Sequence, residues 1–483
     1  MKRYIRNSII LAGFIVLGSL NSCKKSFLDQ KPYTSLNVAD AITNEKDMLA
    51  ALNGTYSSLR SALVAFGGAS VASTTTNSFA RNIPVIGDLA ADNVFVSARN
   101  SGRYLTFGAY TWTQAATEYR DIWANLYTTI LKANNIINSP LAQSVTTDQY
   151  KGEAYAVRAL CYFELAQFYA RPYTDSPTSP GVPLVLTFDY TLKPKRNTVG
   201  EVYTQIIADL DKAYTMAVAY RGSGYLSKYA ARGLEAKVAL FKGDYPTALT
   251  YAEDVIKNSG FNLLAAGNVV NYWAATAPQS ATKNETLFEV VSDNVLNLGT
   301  DELAYMYSQD GYGDLLCAPE LYNLYRATDV RKSLIKAGAR SNAENPAYIV
   351  TKFKSVTDDR DDKKVIRVSD VYLIAAEAAK GNNNEPLALT YLNTLVAQRD
   401  PGLVYASAGS QLLEDILVER RKELAFEGDR LHTLNRLKRA ITRSNVFPTA
   451  ALNIPYADFR RIGPIPQTET NNNPNITQNP GYN

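Results

Sequence analysis

The chain has a single histidine, His432, and three cysteines, Cys23, Cys161 and Cys317, in 483 residues. One imidazole excludes any metal site or proton relay built on two histidines. Three cysteines cannot form a disulfide-dense scaffold or a four-cysteine zinc site. An excess of charge of one sign is also missing. Lys and Arg number 50 against 46 Asp and Glu, a formal charge of +4. That lacks the concentrated positive charge that phosphate-backbone binding requires, so nucleic acid is not an expected partner. No G-x-S-x-G, G-x-x-x-x-G-K-[ST] or H-E-x-x-H motif occurs, and no paired acids stand on predicted strand ends as a glycosidase would want. The expectation is a protein without catalytic residues, cofactor or metal ligand set. In the run TDDRDDKK, Asp358, Asp359, Asp361 and Asp362 offer oxygen ligands, but their spacing is not that of the twelve-residue calcium loop. It reads as a solvated charged loop, and a structural calcium ion stays unsupported. What is abundant is tyrosine, with 32 residues. Rings with a polar tip suit a wet interface or a sugar-like ligand, and also a helical core.

The N-terminus, MKRYIRNSIILAGFIVLGSLNSCKK, carries Lys2, Arg3 and Arg6 ahead of an apolar stretch from Ser8 to Leu20. Thirteen helical residues reach only about 20 Å, short of a hydrocarbon core of about 30 Å, so the segment reads as an export signal. Leu20-Asn21-Ser22-Cys23 resembles the lipobox of bacterial lipoproteins, in which cleavage precedes a cysteine that then carries the lipid. Several acyl chains on Cys23 would anchor the chain stably, at about 0.8 kcal/mol per buried CH₂. Losing the signal leaves 47 basic against 46 acidic residues, a formal charge of +1. Cys161, within YAVRALCYFELAQFY, reads as a buried small hydrophobe. A Cys161–Cys317 bridge stays open in an oxidising compartment.

The body reads as helical. Apolar residues at three- and four-residue spacings mark one helix or two short ones over 39–60, then helices over 119–140, 152–170 and 199–220. The clearest unit is 229–258, in which Ala230, Gly233 and Ala236 lead to a Gly243-Asp244-Tyr245 turn and Pro246 opens a second helix. The pattern returns over 372–398, with ALTY at 248–251 and again at 388–391. These units resemble degenerate tetratricopeptide repeats, and 153–170 looks like half of a third. Two stretches lack periodicity, roughly 61–117 and 263–360, apart from strand-like runs at 285–291 and 348–354. Long irregular insertions that are ordered tend to carry function. The Pro- and Asn-rich tail, 453–483, is expected to pack back on the helical body.

An ordered set of fragments carries a family resemblance. It runs from Cys23 and Phe27-Leu28-Asp29 through Ala91-Asp92-Asn93-Val94 and Tyr127…Asn134-Asn135-Ile136-Ile137. Gly152-Glu153-Ala154, Arg158-Ala159 and Tyr162-Phe163 follow, then Arg367-Val368-Ser369-Asp370-Val371-Tyr372 and Glu419-Arg420-Arg421-Lys422-Glu423-Leu424-Ala425-Phe426-Glu427-Gly428. The set closes with Ile465-Pro466 and NPNITQNPGY. The chain resembles the SusD/RagB family of outer-membrane nutrient-binding lipoproteins of Bacteroidetes-type bacteria. The resemblance implies a mostly α fold, a SusD-like superhelix of tetratricopeptide-like helix pairs with a less regular, loop-rich lobe and small strands. It implies a cleaved signal over 1–22, a lipidated tether over 23–38 and one SusD-like domain over 39–483 whose ligand-side insertions are the two irregular stretches. It also implies a non-catalytic capture subunit, lipid-anchored through Cys23 in the outer membrane and facing the exterior. Such a subunit passes an oligosaccharide or other nutrient to a SusC-like TonB-dependent transporter. A protein-binding scaffold or adhesin, or a binder of peptides or glycopeptides, is the alternative.

Ligand contacts are expected among aromatic and polar residues of the irregular stretches. Trp273 with Tyr272 comes first, then Tyr305, Tyr307 and Tyr312, then Tyr104 beside Arg99, Asn100 and Arg103. Trp123 reads as core and Trp112 is ambiguous. Arg158, Glu377, Arg420, Arg421, Glu423 and Glu427 lie within apolar helical patterns and are expected to pair within the scaffold.

Overall fold

Small side chains at helical spacing let helices approach in pairs, and the pairs build the frame. The structure, a computed structural model, describes residues 41–65, 73–189, 191–216, 219–279, 282–340, 344–357 and 361–482. The expected signal, the tether and Cys23 lie outside the described residues. Among the described residues, ten helices build that frame: α1 (Glu45–Arg60), α2 (Thr117–Ile137), α3 (Val145–Tyr169), α4 (Val199–Thr215), α5 (Lys228–Lys242), α6 (Tyr245–Asn258), α7 (Val368–Gly381), α8 (Glu385–Ala397), α9 (Gly409–Glu423) and α10 (Asp429–Arg436). The fold is mostly α, as expected. Among the described residues, no helix is long and apolar enough to cross a membrane.

The two repeat units share one turn chemistry. Gly243 after α5 and Asn383 after α7 both adopt positive φ, at +81° and +59°. Asp244 and Asn384 then cap α6 and α8 by accepting the backbone N–H groups of Thr247 and Leu387, and Pro246 and Pro386 sit in the first turn. The units also pack on each other, α6 against α7. A Cβ at Gly381 would lie 2.4 Å from the Tyr245 ring, so only glycine permits that approach. Helix α3 starts earlier than its apolar stripe, at Val145, because Ser144 and Thr147 form a capping box ahead of a polar first turn.

Among the described residues there are five antiparallel two-stranded ladders, most of them in or bordering the irregular stretches. These pair β1 (Ser61–Ala65) with β2 (Ser73–Asn77), β3 (Val94–Val96) with β5 (Leu315–Cys317), and β4 (Thr286–Val290) with β8 (Lys363–Arg367). The remaining two pair β6 (Ile335–Gly338) with β7 (Ala347–Val350) and β9 (Ile441–Thr442) with β10 (Asn453–Ile454). The β3–β5 ladder aligns Val94 with Cys317 and Val96 with Leu315, which ties the first insertion to the second. The tail packs as expected. Asn479 donates to the Tyr169 and Gly463 carbonyls, and Asn473 and Asn475 donate to those of Pro194 and Lys193.

The charged residues expected to pair within the scaffold do so. Arg158 grips Asp209, Arg436 grips Glu377, and Arg420 bridges Asp370 and Asp429. Glu423 meets Arg331, Arg367 and Arg399 at 2.8–3.0 Å, while Glu427 pairs with Lys352 and Arg367. Arg421 holds Asp92 at 3.3 Å. One open question is closed and one expectation is corrected. Cys161 and Cys317 are both buried and free, so no bridge forms. Asp361 and Asp362 are not solvated. Both are buried, where Asp361 accepts the backbone N–H groups of Lys354 and Ser355 and Asp362 that of Ser292. Asp358 and Asp359 lie outside the described residues. His432 is buried edge-on to Phe168, and burial pushes its imidazole down to about 4, which leaves it neutral.

Candidate functional site

The loop after β3 is held by three side chains, Asp314, Arg340 and Glu344, the last accepting the Ala98 N–H at 2.7 Å and the Ser97 hydroxyl at 2.8 Å. Buried Asp314 accepts the Ser101 backbone N–H at 2.7 Å and the Ser101 hydroxyl, and its own carbonyl accepts the Ser97 N–H. Arg340 spans the same loop and the turn before β5. It donates to Ser97 Oγ at 3.0 Å, to the Arg99 carbonyl at 2.6 Å, to the Tyr312 carbonyl at 2.7 Å and to Gln309. Asn100 closes the loop on itself, donating to the Ser97 carbonyl and accepting the Gly102 N–H. A fork of five donors suits Arg340 to this clamp.

Above the clamp, residues from the two insertions meet. The Arg103 guanidinium lies 4.1 Å from the Tyr312 ring centre and donates to Tyr312 Oη at 3.3 Å. Tyr305 packs beside Tyr312 at 5.6 Å, with its hydroxyl anchored to the Val356 carbonyl. Asp301, 52% exposed, takes Arg81 at 2.5 Å and has the Arg103 guanidinium at 3.8 Å. Arg103 itself keeps 33% of its side chain in solvent. The patch therefore offers half-buried tyrosine rings beside guanidinium donors and a carboxylate acceptor. Such a set matches the apolar C–H faces and hydroxyls of a sugar, with water filling the gaps.

Of the residues expected at a site, the structure brings together Arg99, Asn100, Arg103, Tyr305 and Tyr312. The others fall elsewhere. Trp273, on a short helix over 269–274, is only 6% exposed. Its ring packs on Phe353 and under the Lys352 ammonium, 4.0 Å from the centroid, and Tyr272 lies against it at 5.2 Å with its hydroxyl bonded to Thr286. Tyr307 is fully buried between Phe353 and Phe426. Trp273 and Tyr307 thus present no ring face to a ligand. Tyr104, 3% exposed, is also core. It holds φ +58° at the start of the helix over 105–109 and donates its hydroxyl to Asn82. Its left-handed backbone costs on the order of 1–2 kcal/mol and orients the chain leaving the loop. Trp123 and Trp112 are both core, Trp112 donating to Tyr482.

Sequence reading missed Arg81, Asp301, Asp314 and Arg340. The signal nearest to them was the glycine pair in SQDGYGD. A Cβ at Gly313, where φ is +56°, would lie 2.5 Å from Arg340 Nη1, and one at Gly311 would lie 2.8 Å from the Tyr305 Cα. Gly313→Val should therefore dislodge Arg340 and loosen both loops, at a cost on the order of 1–2 kcal/mol. The expected result is several-fold weaker saccharide binding by calorimetry with a fall of only a few degrees in melting temperature. Unchanged binding would show that the clamp does not set the patch.

Residues 26–240 match the family described as starch-binding and associating with the outer membrane, and residues 347–482 match the SusD family. A SusD-like protein of Formosa agariphila is 28% identical over the whole of both chains. A SusD superfamily protein from Bacteroides thetaiotaomicron superposes with a TM-score of 0.78 at 28% identity, covering 91% of this chain and all of that one. Another from Bacteroides vulgatus gives 0.80 at 26% identity, covering 91% and 99%. The chain belongs to the SusD/RagB family. Members are outer-membrane-associated proteins of carbohydrate and nutrient binding, generally without catalysis.

Proposed function

We propose that this chain is a non-catalytic cell-surface lipoprotein that captures an oligosaccharide on the loop patch and passes it to a SusC-like TonB-dependent transporter. The observation that carries the reading is the convergence of Arg103, Tyr305, Tyr312 and Asp301 from two insertions far apart in sequence. There half-buried tyrosine rings stand beside the partly exposed Arg103 and the exposed Asp301. Anchoring is assigned to lipid on Cys23, with the patch facing outward, and no cofactor or metal has a part in capture.

The test is calorimetry on a soluble form beginning after Cys23, titrated with a panel of oligosaccharides. Tyr312→Ala removes the ring that Arg103 covers, and should weaken binding about tenfold, the scale of one aromatic contact of about 1–1.5 kcal/mol. Binding that Tyr312→Ala leaves intact would remove the patch from the reading. Binding only of peptides or glycopeptides would replace the ligand class, and no ligand at all would favour a scaffold role. Genes for carbohydrate-active enzymes beside this one would name the substrate.

A further inference from the structure

A second cleft, of about 490 Å³, opens between α1 and the turn at 291–296. Its volume is within the usual range for small-ligand sites, roughly 300–1,000 Å³. Tyr56 and Tyr225 line one side, edge to face at 5.3 Å, and the Arg221 guanidinium sits 4.2 Å from the centre of the Tyr225 ring. Both rings are half-buried.

Arg60, the last residue of α1, lines the cleft and is 6% exposed. It donates to the Val291 carbonyl at 2.8 Å and to Ser57 Oγ at 3.3 Å, and among the described residues its Nε has no partner. A guanidinium carries five N–H donors, and only two of these find acceptors, both neutral. Arg158, by contrast, is matched bidentately to the Asp209 carboxylate. A buried donor set short of acceptors is costly, and an arriving hydroxyl oxygen relieves it.

The complementary acceptor lines the same cleft. Asp293 Oδ1 takes the backbone N–H groups of Val295 and Leu296, at 2.8 and 2.6 Å, and neither of these bonds uses Oδ2. The Leu296 and Val295 amides, together with the charge of Arg60, hold the Asp293 carboxyl below the usual carboxylate range, so it is an acceptor at neutral pH. A cationic donor and an anionic acceptor beside a tyrosine pair suit adjacent hydroxyls of one ring. A carboxylate ligand would meet Asp293 and also Glu289, which lines the same cleft.

We propose that this cleft is a second glycan subsite, in which neighbouring hydroxyls of an uncharged pyranose bridge Arg60 and Asp293 and its apolar face lies on the Tyr56–Tyr225 pair. The inference deepens the glycan-capture reading and rests on it. A second subsite on the same chain would let a long polysaccharide be held at two points, raising its effective concentration at the first.

The test titrates the soluble form with malto-, cello-, xylo- and galacto-oligosaccharides, and with oligogalacturonate as the acidic arm. Tyr312→Ala isolates the cleft. Arg60→Lys keeps the charge but loses the fork, and Asn53→Trp blocks the cleft from an exposed helix position. The expected result is two binding events with one neutral series. One event survives Tyr312→Ala and falls at least tenfold in both cleft variants. A single event, lost in Tyr312→Ala and untouched by Asn53→Trp, overturns the second subsite and leaves the loop patch standing. Binding abolished by Asn53→Trp alone supports the cleft and overturns the patch. Cleft binding confined to oligogalacturonate overturns the neutral assignment. No binding to any of these saccharides by the wild type overturns both sites.

Discussion

Trp273→Ala is expected to lower stability by about 3–5 kcal/mol, the range for truncating a buried tryptophan, and to leave binding at the loop patch unchanged. The reason lies in what surrounds the indole. Lys352 sits over its face at 4.0 Å, with the Arg367 guanidinium at 5.3 Å. Phe353 and Tyr272 pack around it at 5.6 and 5.2 Å. Burial pushes the Lys352 ammonium down to about 8 against the pull of Glu427, and the indole face adds a cation–π contact to the Glu427 and Ala425 partners of that cation. Alanine would remove both the packing and the electron-rich face. A urea midpoint shift, read beside calorimetry on the folded variant, checks this. Lost binding with an unchanged midpoint would return Trp273 to the ligand site.

That reversal shows where sequence reasoning reaches and where it stops. The helix pairs were legible because their turn chemistry is local: Gly243-Asp244 and Asn383-Asn384 each place a left-handed residue and a cap within two positions. The tail was legible because asparagine and proline declare an extended, hydrogen-bonded path. The site was half legible. Arg103, Tyr305 and Tyr312 stood out as aromatic and basic residues in irregular chain, and they do meet. Trp273 carried the same signature, yet it is buried by Lys352, Phe353 and Arg367, residues 79 to 94 positions downstream. Nothing within its own helix records that. Arg340 and Asp314 were invisible for the converse reason. A clamp that works largely through backbone carbonyls and amides, with only two serines and a glutamine as side-chain partners, leaves no charged or aromatic pattern in what it holds.

The same scaffold makes a second large effect expected, at Glu423. Its carboxylate receives Arg367 at 2.8 Å and Arg331 and Arg399 at 3.0 Å, with Glu285 sharing Arg367 and Arg399 on the far side. Burial alone would raise the Glu423 carboxyl, but the guanidiniums of Arg399, Arg367 and Arg331 overcome it and hold the group well below the ordinary range. Glu423→Gln keeps the shape and places an NH₂ donor among three cations. Removing one partner of a buried ion pair typically costs about 3–5 kcal/mol, since the remaining charges lose their compensation. The pH dependence supplies an independent readout. A depressed folded pKa contributes stability that is fully present above the unfolded value, about 4.3 for glutamate, and is lost as pH falls toward the folded one. Glu419, Asp329 and Asp429 are shifted in the same direction, with Arg331 or Arg420 overcoming burial. Wild-type stability should therefore fall steeply below about pH 4, and Glu423→Gln should start lower and fall less steeply, having one fewer proton to bind on unfolding in that window. Urea titrations from pH 3 to 7 measure both. A loss under 1 kcal/mol at pH 7 would mean the three arginines find compensation without Glu423. An acid limb as steep as the wild type's would mean that carboxyl is not held low in the folded chain.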